Sequence, residues 1–218
     1  MSVRVAAIIP AYDEETTVAD VVRAVRTSPL VSETIVVSDA STDRTAAVAR
    51  EAGARVVERP TNGGKGAAVL SGLAMTDAPL VLLLDADLVG LTADHVERLL
   101  APVLDGSRVM NCSQRDRGWF TPFTRWLPLV SGERALPREI IERVPPHLLR
   151  GFQLEEALNY YCRRNRLPYG SVPLPGLTMR RKFQKVGWRK ALVQYVRMWT
   201  VVAKAMILVR IAALKGEF

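Results

Sequence analysis

Cysteine, histidine and aromatic side chains are scarce in this chain of 218 residues, and each scarcity removes a class of function. Cys112 and Cys162 are its two cysteines, with no second cysteine or histidine at ligand spacing around either, which leaves neither a disulfide framework nor a zinc site. A reducing, cytosolic setting suits that usage. Aromatics make up 6% of the residues, too few to stack bases along a groove. Charge argues the same way. The 30 Lys and Arg against 22 Asp and Glu give a formal +8, but Arg180 to Phe218 alone carries ten basic residues and one acidic one. The main body is therefore close to neutral, and nucleic acid is not an expected partner. Met1 to Pro10 lacks the basic head, long apolar segment and cleavage site of a signal peptide and reads as a first strand.

What is abundant is apolar surface, at 49% of residues, enough for one cored domain with an appendage. Val3 to Pro10 is a β-branched and apolar run closed by proline; Asp13 to Arg26 follows with helical spacing at Val18, Val21, Val22 and Val25. Strands at Glu33–Ser38, Ala54–Glu58 and Leu80–Leu84 then alternate with helices at Thr42–Ala52 and Gly66–Met75. Strands that are apolar on both faces and separated by helices predict an α/β fold, a mostly parallel sheet between helix layers, with ligands at the carboxyl ends of the strands.

Each of those strand ends carries polar residues: Pro10-Ala11-Tyr12-Asp13-Glu14-Glu15, Ser38-Asp39-Ala40-Ser41-Thr42-Asp43, Asn62-Gly63-Gly64-Lys65-Gly66 and Asp85-Ala86-Asp87. Taken singly, the acids compensate a helix dipole and Ser41 or Asp43 caps a helix. The lysine among glycines at a helix start also suits an anion, although it matches neither the Walker pattern nor Gly-x-Gly-x-x-Gly. Asp85 and Asp87 are the sharpest signal. They directly follow Leu80-Val81-Leu82-Leu83-Leu84, where an unpartnered carboxylate is costly, and two hard oxygen ligands there suit Mg²⁺ or Mn²⁺ with a ligand's phosphates completing the coordination.

Together these motifs, in this order and spacing, resemble the inverting family 2 glycosyltransferases of the GT-A fold. Leu129-Val130-Ser131-Gly132-Glu133-Arg134-Ala135 and Gly151-Phe152-Gln153-Leu154-Glu155 resemble the branch with glucosyl-3-phosphoglycerate synthases and related enzymes, some acting on polyprenyl phosphates. The resemblance spans about residues 3–180. It implies that Pro10, Ala11, Asp13 and Glu15 line the nucleoside pocket, that Ser38 or Asp39 contacts base or ribose, and that Lys65 approaches the diphosphate. It further implies Asp85 at the ribose or metal-bound water, Asp87 on the metal as part of a DXD motif, and Ser131, Gly132, Glu133 and Arg134 on the acceptor side. Where this branch places a metal-binding histidine the chain has Met179, a poor ligand for a hard cation. Glu155 is the candidate to orient or deprotonate the acceptor; the alternative puts Glu155 and Glu156 on the polar side of a helix whose apolar side is Leu154, Leu158 and Tyr161.

Arg115 to Trp126 interleaves arginines with Trp119, Phe120, Phe123 and Trp126, which suits a lid or a lipid-facing surface, or else a plain loop. Gly187 to Leu214 predicts a long amphipathic helix whose charges at Arg197, Lys204 and Arg210 argue against a membrane span. It suits an interfacial helix on anionic lipid, and equally one packed on protein. The expectation is a domain at residues 1–180 and a basic helical tail at 181–218. The enzyme expected transfers a sugar from a UDP- or GDP-linked donor to a phosphorylated acceptor with inversion, peripheral on the inner face of the membrane if the acceptor is a polyprenyl phosphate or other lipid. The alternatives are a small soluble phosphorylated acid such as phosphoglycerate as acceptor, a degenerate module without catalysis, and, outside this resemblance, a nucleotidyltransferase, disfavoured by the acidic first loop. A homodimer is compatible with the sequence.

Overall fold

The computed structural model describes residues 3–115, 131–149, 153–179 and 206–216. β1 (Val5–Ala11), α1 (Val18–Thr27), β2 (Glu33–Asp39), α2 (Thr45–Glu51), β3 (Arg55–Arg59), α3 (Gly64–Leu73) and β4 (Leu80–Leu83) follow in the predicted alternation. Next come β5 (Leu88–Val89), α4 (Ala93–Leu104), β6 (Met110–Arg115), β7 (Arg134–Pro137), α5 (Arg138–Arg143), a 3-10 turn at Pro146–Leu148, α6 (Gln153–Arg164), β8 (Tyr169–Leu174) and β9 (Thr178–Met179). Residues 206–214 are helical and are called α7.

The main sheet runs β3-β2-β1-β4-β7-β6-β8. Its pairs are parallel except at β7, which runs against both β4 and β6. A separate ribbon pairs β5 with β9, Leu88 opposite Met179 and Val89 opposite Thr178. Because successive side chains on a strand point to opposite faces, the apolar strands feed two cores. Ile8, Ile35, Val37, Val81 and Leu83 join Val69, Ile140 and Leu158 from α3, α5 and α6. Val5, Ala7, Ile9, Val36 and Leu82 join Val22, Val25, Leu99 and Leu100 from α1 and α4. Each such Leu or Ile, fully withdrawn from water, contributes roughly 1.5–3 kcal/mol.

Two local differences from the sequence expectation bear on the site. α1 starts at Val18 and not at Asp13, because Asp13 takes φ 54° and the carbonyl of Glu14 then accepts from Thr17 and Val18 at 3.1 and 3.0 Å. α7 sends Val209 and Ala212 into the same core cluster as Leu148, Leu154 and Leu158, so this stretch packs on the body of the molecule. Residues 117–126 and 187–205, which carry the expected aromatic stretch and most of the expected tail helix, lie outside the described residues. Among the described residues, no helix is long and apolar enough to cross a membrane.

Candidate active site

The carboxyl ends of β1 and β2 lie side by side, Pro10 opposite Val37 and Ala11 opposite Ser38, and the loops that follow are tied to each other. Asp13 Oδ1 accepts from the Thr42 amide at 2.8 Å and hydroxyl at 3.3 Å, while the Asp13 amide donates to Ser41 Oγ at 3.2 Å. The Arg44 amide donates to Glu15 Oε2 at 3.0 Å, and the amides of Glu15 and Glu14 donate to Asp43 and Thr45. Asp13 and Ala40 (φ 60°) both sit in the left-handed region, which costs an L residue roughly 1–2 kcal/mol. The reciprocal bonds offset that cost and fix one rigid rim. Of the residues expected to line a nucleoside pocket, Ala11 and Ser38 are buried in this rim, Pro10 and Asp13 half-buried, and Glu15 exposed.

Asp39 has a more specific role than its position suggests. Its carboxylate accepts from the amides of Gly63 (3.1 Å) and Gly64 (2.7 Å) and pairs with the Arg59 guanidinium. The anion at the start of α3 is thus supplied by the protein itself, and the glycine turn presents Lys65 while two of its amides are already occupied. Arg59 escapes the sequence reading because its signal is the register of the parallel pair, in which it lies opposite Asp39.

Lys65 joins two halves of the site. Its Nζ lies 2.5 Å from Asp85 Oδ1 and 3.1 Å from Glu155 Oε1. Burial alone would push the Lys65 ammonium toward its neutral form; the charges of Asp85 and Glu155 and their hydrogen bonds outweigh it, and its pKa is held above the ordinary value. Glu155 is 5% exposed, so the surface alternative fails: α6 buries Glu155, Glu156 and Asn159 together with its apolar side. Glu155 Oε2 is buried with no hydrogen-bond partner among the described residues. A buried carboxylate oxygen left so is costly unless a ligand's donor meets it.

The segment Ser131 to Arg134 builds the wall behind this pair. A Cβ on Gly132 would collide with Lys65 Nζ and with both Asp85 oxygens, so only glycine lets the backbone approach so closely. Glu133 is fully buried and accepts from Ser113 Oγ and Ser131 Oγ, each at 2.5 Å. Arg134, also fully buried, grips the Ser131 carbonyl with Nε (3.1 Å) and Nη2 (2.6 Å) and reaches the Glu155 carbonyl and Asn159 Oδ1 from Nη1. Arg134 therefore clamps the Gly132 loop to the first turn of α6. Ser113 and Asn159 were not foreseen from the sequence; a lone serine in a strand and an asparagine in a helix carry no spacing signal.

Asp87 sits one residue before the β5–β9 ribbon, which places the Met179 backbone opposite Leu88. Among the described residues, no group of three or more His, Cys, Asp or Glu is arranged to hold a metal ion. Hard oxygens from one or two aspartates fit a divalent ion whose remaining positions go to water and a nucleotide's phosphates. Met179 adds nothing to such a set.

Comparison with known proteins bears on the family and the fold. The sequence model described as glycosyl transferase family 2 matches residues 6–167. Glucosyl-3-phosphoglycerate synthase of Mycolicibacterium paratuberculosis is 37% identical over 116 residues, which is 48% of this chain and 35% of that one. The chain thus matches about a third of that relative's length. The crystal structure of glucosyl-3-phosphoglycerate synthase from Mycobacterium tuberculosis in complex with Mn²⁺, UDP-glucose and phosphoglyceric acid has a TM-score of 0.77 at 26% identity, covering 94% of this chain and 79% of that one. Its complex with Mg²⁺ and UDP gives 0.70 at 28% identity, covering 82% and 72%. With the match running from β1 to the end of α6 and this sheet beneath it, the chain belongs to glycosyl transferase family 2.

Proposed function

We propose that the chain transfers glucose from UDP-glucose to a hydroxyl of a phosphoglycerate-type acceptor, with inversion at the sugar carbon. The observation that carries this reading is the unpartnered, buried Glu155 Oε2 beside the Lys65–Asp85 pair. The relatives whose structures hold UDP-glucose and phosphoglyceric acid favour this small acidic acceptor over the lipid phosphate expected first. In the reaction the acceptor oxygen bonds to the anomeric carbon, the bond from that carbon to the diphosphate breaks, and UDP departs with the electron pair. Glu155 Oε2 accepts the hydroxyl proton, while Lys65 pairs with Oε1 and leaves Oε2 facing the acceptor. Pro10, Ala11, Asp13, Glu15 and Ser38 border the nucleoside. Asp39 acts through the glycine turn that it anchors, and Asp85 orients Lys65 and the ribose. Gly132 faces the acceptor, and Ser131, Glu133 and Arg134 hold it there from behind. A divalent cation, when bound, is held by Asp87 with Asp85 beside it and supplies charge stabilisation for the departing diphosphate.

The test is UDP release from UDP-glucose with 3-phosphoglycerate as acceptor. Wild type turns over. Glu155→Gln, which removes the proton acceptor and leaves the shape, loses on the order of 10²–10⁴-fold in kcat with little change in donor KM. Turnover by Glu155→Gln at the wild-type rate contradicts the assignment.

One observation favours a second reading, in which the acceptor is carried on a membrane surface. Ile207, Ile211 and Leu214 are exposed on the side of α7 away from its buried Val209 and Ala212. At 100° per residue, the exposed Arg210 and Lys215 bracket that stripe on either side. An apolar strip between two cations suits an anionic lipid surface. A second copy of the chain would set these cations against their own kind.

A further inference from the structure

We infer that His95 is a positioning residue for the diphosphate end of the donor, acting through the turn that delivers β9 to Asp87. The inference rests on the donor reading given above. His95 lies in the first turn of α4, 5% exposed, with its amide held by the Thr92 hydroxyl that caps the helix. Its Nε2 lies 3.0 Å from the carbonyl oxygen of Pro175, eighty positions further along the chain. A carbonyl only accepts, so Nε2 carries the proton. Nδ1 is buried with no hydrogen-bond partner among the described residues, so the Pro175 carbonyl is the contact that orients the ring.

The acceptor of that bond is no ordinary carbonyl. Leu174 to Leu177 form a tight turn closed by the Leu177 amide on the Leu174 carbonyl at 3.3 Å. Proline at the second position and Gly176 with φ 80° at the third are the signature of a type II turn. In such a turn the central carbonyl, here Pro175 O, takes no part in the closing bond, and its direction distinguishes this turn from its commoner relative. His95 therefore fixes the orientation of this central peptide group and tethers the turn to the start of α4. Leu174 and Leu177 are fully buried and pin the two ends of the turn. From the opposite side Gly90, at φ 79°, approaches so closely that a Cβ there would lie 2.9 Å from Gly176 O. Thr178 and Met179 come directly after the turn and pair with Val89 and Leu88, immediately beyond Asp87. α4 is thus hydrogen-bonded to the turn that leads directly into β9, the strand paired next to Asp87. On the donor reading, Asp87 beside this ribbon is where the diphosphate's cation would be held.

Calorimetric titration of UDP-glucose, UDP and uridine in the presence of Mn²⁺ tests the inference on three variants of the full chain. His95→Leu removes the donor and weakens UDP-glucose and UDP about tenfold, the worth of one such hydrogen bond, while uridine, which lacks the diphosphate, binds as before. His95→Gln, whose amide nitrogen replaces Nε2, restores most of the affinity. Gly90→Ala pushes the same turn from its other side and reproduces the His95→Leu pattern, which covers the case in which His95→Leu does not fold. A folded His95→Leu or Gly90→Ala that binds UDP-glucose like wild type overturns the inference, as does an equal loss for uridine. A wild type that binds none of the three overturns the donor reading and this inference with it; a wild type that binds all three with only the variant pattern missing overturns this inference alone.

Discussion

Asp85 and Glu155 share one ammonium group, and that sharing ties the loop after β4 to the first turn of α6. Lys65 stays charged because two carboxylates surround it, and Glu155 keeps one oxygen in reserve because Lys65 occupies the other. Gly132 makes this arrangement possible by bringing only backbone to the pair. Gly132→Ala is expected to keep the fold but force Lys65 and Asp85 apart, with a loss on the order of 10²-fold in kcat/KM, as a displacement of about 1 Å at a reacting group produces. Near-wild-type turnover in this variant, checked in the same UDP-release assay, would show that the pair is dispensable. At this scale the sequence discloses residue types better than their duties. Asp39, Glu133 and Arg134 are charged residues at the right places along the chain, yet their charges are spent on the glycine turn, on two serines and on a loop carbonyl. Such pairings depend on register across β2–β3 and β6–β7, which no local spacing reveals.

The secondary elements were far more legible, because β1, β2 and β4 are apolar on both faces and α1 repeats its valines at helical spacing. The site follows from that regularity: parallel strands joined by helices send every connecting loop to the same edge. The reversal of β7 was not legible, since Arg134-Ala135-Leu136-Pro137 is short and carries no directional signal, yet it delivers Gly132 to Lys65. α7 shows the limit of an amphipathic pattern. A helical moment gives two faces but not their partners, and here one face joins the core while the other is exposed. Sedimentation with anionic vesicles at low salt should retain the wild type and release the triple variant Ile207→Ser, Ile211→Ser, Leu214→Ser, which leaves the buried face untouched. Equal retention of both, or of neither, contradicts the lipid-surface reading.

Across the whole molecule, a nearly neutral body holds the site while the excess of basic over acidic residues lies beyond residue 179. Two cores, one on each face of a single sheet, give the strand ends the rigidity that a preorganised site requires. The proposed function has Asp87 and Asp85 take a cation together with the donor's diphosphate. Calorimetric titration of UDP-glucose with and without Mn²⁺, on wild type and Asp87→Ala, tests this requirement. Saturable binding is expected that needs Mn²⁺, is lost in Asp87→Ala and is not reproduced by GDP-mannose. Absence of UDP-glucose binding to the wild type, or binding indifferent to both Mn²⁺ and Asp87, would contradict it.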